Sequence, residues 1–260
     1  MIRNKTENKY LVPAVDQASR ILFCLSKHDS TYMSLIDICN KVGIHKSKAY
    51  SILLTFQKFG IIQKNVNGKG YALGPSLISL SRKVLDSFNI LSFAEPALKE
   101  LMKKTGGTVT LGLISENNVF VIAKYESSAD IGVTVRVGHR FPLTYGSHGK
   151  AIAAFLPKDK LDHLLKNEHL YFHGKRDKID MKRLKKELAQ CRRDGFALDL
   201  GEITPRVNTV AAPILGPNAN PIGYITLLGL FTAETTRSFG PLVAEVGKKL
   251  SQQLGLKITD

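Results

Sequence analysis

Apolar residues recur at helical spacing through the first quarter of the chain, and each run carries its own start or stop signal. Val15 to Lys27 turns Ala18, Ile21, Leu22 and Leu25 to one side and reads as a first helix. Ser34, with Asp37 three residues later, forms a capping box: the hydroxyl takes an orphan helix N–H and the carboxylate reaches back. Leu35, Ile36, Ile38 and Val42 follow on a second helix, and Gly43 supplies the left-handed turn after it. A third helix begins near His45, buries Ala49, Ile52, Leu53 and Phe56, and ends at Gly60. Ile61 to Lys64 and Tyr71 to Leu73 then read as a hairpin around Asn65-Val66-Asn67-Gly68-Lys69-Gly70, because Asn-Gly tolerates positive φ at both positions. Gly74-Pro75 breaks the strand. The next helix, Ser76 to about Phe88, carries only the narrow stripe Leu77, Leu80, Val84 and Phe88, too little to stand without a partner surface.

Beyond this point the period changes. A helix from Phe93 to Thr105 is followed by strands Thr108–Ile114 and Val119–Tyr125, turning at Glu116-Asn117-Asn118, and a strand Gly132–Val137. Gly146–Phe155, Lys158–Leu165 and Met181–Arg193 read as helices, Phe196–Leu200, Thr209–Leu215 and Ile222–Leu228 as strands, and Thr235–Leu254 as a closing helix. Alternation with short turns suits an antiparallel sheet with one covered face, flanked by helices, so the class is α+β. The expected division is a flexible arm at 1–12, a winged helix-turn-helix at 13–74, a linker helix at 75–90 and a second domain at 91–260.

Two helices joined by a Gly-containing turn of three or four residues form the arrangement that sets a recognition helix into a major groove. Lys46, Ser47 and Lys48 occupy the first turn of the third helix, with Tyr50 and Ser51 just behind. Lys can meet phosphate or guanine, and the hydroxyls can meet phosphate or base edges. Ser34, at a helix N-terminus, is placed to meet a phosphate, and Lys64 and Lys69 on the hairpin would run beside the backbone. Charge strengthens this reading. Residues 1–85 hold thirteen Lys and Arg against four Asp and Glu, so +9 of the net +15 falls in a third of the chain. The expected partner is double-stranded DNA.

Composition removes several other classes. A 43% hydrophobic, 23% charged chain of 260 residues suits two globular domains. The polar start MIRNKTENKY lacks the apolar run expected of a signal peptide, and no run approaches the ~20 apolar residues of a membrane span. Cys24, Cys39 and Cys191 are odd in number and far apart, which suits a reducing cytoplasm without a disulfide framework. Gly149-Lys150 lacks the Gly five residues earlier and the following Ser or Thr that a P-loop needs. Ser147 beside His148 is not a nucleophile elbow, and His163, His169 and His173 have few carboxylate companions for a metal. No catalytic residue, cofactor or metal is expected.

Six stretches in order then resemble one family. VPAVDQASRILFCL is similar to the first helix, GIHKSKAYSILLTFQKFGII to the recognition helix, and GKGYALGPSLISL to the wing and linker start, of the isocitrate lyase regulator (IclR) family of bacterial transcription factors. GHRFPLTYGSHGKAIAAFL and DGFALDLGEITPRVNTVAAPIL resemble the two walls of its effector pocket, and PIGYITLLG the strand that follows. The resemblance implies a GAF-like effector domain, dimers that often pair as tetramers on DNA, and a small organic acid or aromatic effector. It implies effector contacts from Leu143, Thr144, Gly146 and Ser147 on one wall and Asp199, Glu202 and Thr209 on the other. Backbone N–H groups of 144–149, ahead of a helix, could hold a carboxylate. Glu202, an acid in such a pocket, would need a ligand hydroxyl or a pair with Arg206. This chain departs from the family pattern at Ser51 (commonly Arg), His45 (often Pro), Thr144 and Gly146 (a His and a small hydroxyl residue), Arg206 (Gly) and Thr209 (often Cys), so the family's effectors do not carry over. Two other readings stay open: an enzyme domain with a DNA-binding appendage, and a DNA-binding protein with no effector.

Overall fold

The computed structural model describes residues 11–28, 30–66, 68–88, 90–127, 131–166, 169–174, 179–216 and 219–255. The first ten residues of the expected arm, and Asn67 at the hairpin tip, lie outside that set. The chain divides into two compact units, the first ending at Phe88.

The first unit contains α1 (Pro13–Ser26), α2 (Leu35–Val42), α3 (Lys46–Lys58), β1 (Ile62–Lys64), β2 (Tyr71–Leu73) and α4 (Ser76–Phe88). Pro13 opens α1, where its missing N–H costs nothing. Ser34 caps α2 by accepting the Asp37 N–H at 3.2 Å, while the Asp37 carboxylate accepts the Ser34 hydroxyl at 2.7 Å. Gly43, at φ 72°, turns the chain out of α2, and its N–H bonds Cys39 O at 2.8 Å. The core is small: Ile21, Leu25, Ile38 and Leu53 from the helices close over Met33, Ile62 and Tyr71. Met33 exchanges both backbone hydrogen bonds with Tyr71 and adds a one-residue bridge beside the hairpin. Of the stripe expected on α4, Leu77 is half-buried and Leu80 exposed, whereas Val84 and Phe88 have side chains outside the described set.

The second unit runs α5 (Ile90–Thr105), β3 (Thr108–Ser115), β4 (Asn118–Tyr125), β5 (Arg140–Pro142), α6 (Gly146–Phe155), α7 (Lys158–Leu165), α8 (Met181–Asp194), β6 (Ala197–Leu200), β7 (Asn208–Leu215), β8 (Pro221–Gly229), α9 (Ala233–Ser238) and α10 (Gly240–Gly255). Its antiparallel sheet has the order β5-β4-β3-β8-β7-β6. Alternate residues of the central strands serve two cores. Val210, Ala212, Ile214, Ile225 and Leu227 pack with α5 and α10, while Ala211 and Tyr224 pack with α6 and α8. Both faces are therefore covered, not one, which is why β7 and β8 are buried at nearly every position.

Three other expectations give way to packing. Residues 132–137 form no strand; they cross the sheet face as a loop, with the Thr108 hydroxyl donating to Val133 O at 2.5 Å. Their alternation arises because Val133 and Val135 turn inward while Thr134 and Arg136 are exposed. Helix α5 starts at Ile90 rather than Phe93, because Ile90 and Ala94 are already core residues. The closing helix is two helices, broken where Pro241 has no N–H to continue the ladder from α9.

Candidate functional site

On the first unit, α3 presents an exposed side made of Lys46, Ser47, Lys48, Tyr50 and Ser51, continued by Leu54. No acid occurs anywhere in α3, and its cap residue His45 makes no side-chain bond to the first turn. The positive end of the helix dipole and two ammonium groups thus stand at one end of a helix that supplies no acid of its own to neutralise them. Tyr50 is 43% exposed, a cost the core does not repay. The Ser51 hydroxyl donates to Ser47 O at 3.1 Å, so its remaining capacity is as an acceptor. The Ser34 hydroxyl is likewise committed to Asp37, which leaves the α2 terminus itself, rather than that hydroxyl, to meet an anion. Lys64 and Lys69 are exposed on the hairpin, with the Lys64 ammonium 5.7 Å from the Tyr71 ring centroid.

The second unit holds a cavity of about 320 Å3 between the sheet and the segments 133–135, 141–148 and 199–207. Its floor is one face of the sheet. Thr110 pairs with Thr226 and Thr209 with Leu228, and Tyr224, two residues from Thr226, shares the face. Gly112 is paired with Tyr224; a Cβ there would lie 2.2 Å from the tyrosine ring, so only glycine leaves room for it. His148 stacks on Tyr224 at 4.6 Å and 19°, and Tyr145 and Phe141 extend the aromatic wall. Burial drives the His148 pKa down to about 3, so the ring is neutral at physiological pH.

Several polar groups at the cavity lack partners among the described residues. The Thr226 hydroxyl and His148 Nε2 are buried and unbonded, on side chains 6% exposed. Such a group costs about 1–3 kcal/mol when nothing bonds it. The Ser147 hydroxyl shares a 2.6 Å bond with that of Thr209. Asp199, 3% exposed, accepts the Glu202 and Ile203 N–H groups at 2.8 and 3.4 Å through Oδ1. Its Oδ2 lies beside Gly146, 3.3 Å from where a Cβ would stand, and accepts no bond from the described residues. Burial pushes the Asp199 carboxyl up, against the two backbone N–H groups that hold it down.

Of the seven effector contacts expected from the sequence, Gly146, Ser147, Asp199 and Thr209 line this cavity. The other three do not. Leu143 packs into the core beneath α6, and the Thr144 hydroxyl accepts the Tyr171 N–H at 3.1 Å. Glu202 turns away to Lys150 at 3.4 Å and Arg183 at 2.6 Å, satisfying neither a ligand nor Arg206. The lining residues Phe141, Tyr145, His148, Ile203, Tyr224 and Thr226 were missed. Alternation on β8 was the available signal for Tyr224 and Thr226, but it does not say which face meets a cavity.

Lys150, 1% exposed, is the centre of an ion cluster outside the cavity. Its ammonium lies 3.1 Å from Glu187, which also takes His173 Nε2 at 2.7 Å and Arg183 Nε at 2.8 Å. Burial alone would raise the Glu187 carboxyl; the His173 bond and Lys150 charge hold it at about 2. Donor atoms of His173, Glu187 and Glu202 fall within 4.8 Å of one another, as a metal site would require. Lys150 and Arg183 already supply the two positive charges that balance these carboxylates. The cluster ties the 199–206 loop to α6 and α8.

Comparison with known proteins bears on both units. A family model described as the IclR helix-turn-helix domain matches residues 14–65, and one described as bacterial transcriptional regulator IclR C-terminal matches 82–252. The transcriptional regulator XynR of Escherichia coli is 29% identical over 249 residues, covering 94% of this chain and 98% of its own. An IclR transcriptional regulator from Alicyclobacillus acidocaldarius superposes with a TM-score of 0.82 at 24% identity, over 95% of this chain and all of the other. A homologue from Microbacterium hydrocarbonoxydans, solved with 4-hydroxybenzoate, superposes at 0.77 with 18% identity, over 93% and 98%.

Proposed function

Since the chain belongs to the IclR family of bacterial transcriptional regulators, we propose that it binds a specific operator through α3 and releases or holds it according to a small molecule in the second unit. Lys46, Ser47, Lys48, Tyr50 and Ser51 meet the major groove, Ser34 places its helix terminus at a phosphate, and Lys64 and Lys69 follow the backbone. Gly146, Ser147, Asp199 and Thr209 contact the effector. A homodimer, with Ile78 and Leu80 of α4 (70% and 57% exposed) in its interface, spaces two recognition helices for paired half-sites, and two dimers can share one operator. The protein works in the cytoplasm, where its DNA is.

The observation that carries this reading is a division of labour. One unit exposes an acid-free basic helix, and the other encloses a cavity with polar groups that the described residues leave unbonded. Effectors of the family's kind, organic acids and aromatics, suit the aromatic wall, and the neighbour holding 4-hydroxybenzoate supports a ligand at this general fold. A ligand can act only by binding two arrangements of the dimer unequally. The test is a gel shift with DNA upstream of its own gene, at physiological salt and with excess random competitor. A discrete complex that survives competition is expected. A smear that competitor removes rejects specific recognition there.

A further inference from the structure

Resting on the operator reading, we propose that α3 recognises thymine by its C5-methyl group, through Leu54 with the Tyr50 ring beside it. Leu54 is the anomaly of the helix. Ala49 and Leu53 are its buried residues, and at 3.6 residues per turn the line opposite them runs Ser47, Ser51, Leu54 and Lys58. A leucine therefore stands where the helix faces farthest from the core, 47% exposed, with Tyr50 one turn earlier at 43%. Single exposed apolar residues are ordinary. These two are neighbours at i and i+4, on a face whose other exposed residues are all polar.

The polar neighbours narrow what the middle of this helix meets. The Ser51 hydroxyl donates to Ser47 O at 3.1 Å and the Thr55 hydroxyl to Ser51 O at 2.9 Å. Both hydroxyl hydrogens are spent within the helix, so each oxygen meets an outside group as an acceptor. In the major groove an A·T pair sets the adenine N6 amine, which such an acceptor takes, beside the thymine methyl, which Leu54 takes. Cytosine brings an amine but no methyl. Guanine presents only the N7 and O6 acceptors and is left to Lys48 in the first turn. Cations stand toward the two ends, Lys46 and Lys48 at the start and Lys58 at the finish, and α3 contains no acid. Its 13 residues span about 20 Å, and the groove is about 12 Å wide. A helix crossing it sets its ends near the phosphates of both walls and its middle, Ser51 and Leu54, over the base edges.

The test removes the methyl from the DNA before it touches the protein. The full chain first selects its site from a random duplex library at physiological salt. Each thymine of the selected site is then replaced singly by deoxyuridine, which pairs in the same way but lacks the methyl. In anisotropy titrations at least one thymine per half-site should lose about fourfold in affinity on replacement, the worth of one methyl group taken from water. Leu54→Ala trims an exposed side chain, so its Tm should match the wild type. With that variant the thymine and deoxyuridine sites should bind alike at the same position. A wild type indifferent to every replacement overturns the inference and leaves the operator reading standing. A methyl dependence that Leu54→Ala keeps in full overturns the assignment to Leu54. Selection that enriches no sequence removes both the inference and the operator reading.

Discussion

The two units solve opposite problems with polar groups. In the first, the groups proposed to meet DNA are kept at the surface: α3 leaves Lys46, Ser47, Lys48, Tyr50 and Ser51 exposed over a core of few side chains. In the second, they are taken inside: Asp199, Ser147 and Thr226 are buried, and Lys150 is buried in an ion cluster. A surface group costs little and acts through charge and reach. A buried one must be matched by a partner, and where the protein withholds that partner a ligand can supply it. The difference predicts that substitutions in the first unit change affinity with little change in stability, whereas those in the second change stability, ligand binding or both.

The largest effect should come from Lys150→Met. Removing a buried cation leaves Glu187 and Glu202 short of a partner, and denaturant unfolding of the second unit should lose about 3 kcal/mol or more. A loss below about 1 kcal/mol would show that Arg183 and His173 suffice. Next is Lys48→Ala, expected to weaken cognate operator binding by about 1–3 kcal/mol with an unchanged melting curve. Equal losses on cognate and random DNA in a competition titration would reassign Lys48 from base to phosphate.

A third effect, smaller when read over the first pH unit below 6.5, is set by pH. His148 has a folded pKa near 3, below its ordinary 6.5, so between those values the unfolded chain binds the extra proton. Its stabilising contribution is complete above about pH 6.5 and is lost as pH falls toward 3, by up to about 1.4 kcal/mol per pH unit. His148→Asn should flatten that part of the stability profile; an unaltered slope assigns the acid sensitivity to other groups. Smallest is Lys69→Ala, which should weaken all DNA sequences alike and reduce the slope of log K against log salt by about one unit. A sequence-dependent loss would place Lys69 at a base instead.

The same contrast governs what could be read from the chain beforehand. Helices α1 to α3, the capping box at Ser34 and the hairpin follow from local spacing, and the exposed residues of α3 follow from its apolar face by elimination. The cavity depends on pairings distant in sequence. Thr226 meets Thr110 across the sheet, and Glu202 meets Lys150 and Arg183 rather than the nearby Arg206, because α6 and α8 pack beside its loop. Alternation at 132–137 looked like a strand because a loop with one side on a cavity has the same period. Leu143 and Thr144 lie next to true lining residues in sequence, yet the turn into α6 sends them into the core and to the Tyr171 backbone.

The central claim is that the buried cavity controls the exposed helix. The direct measurement is the operator Kd of the full chain, by fluorescence anisotropy, without and with saturating amounts of a ligand that calorimetry identifies, in wild type and in Thr226→Val. A change of about fivefold or more on adding ligand, the lower range of allosteric coupling, with the Thr226→Val response displaced to higher ligand concentration, is the predicted result. An operator Kd that stays the same with the cavity filled would contradict the account.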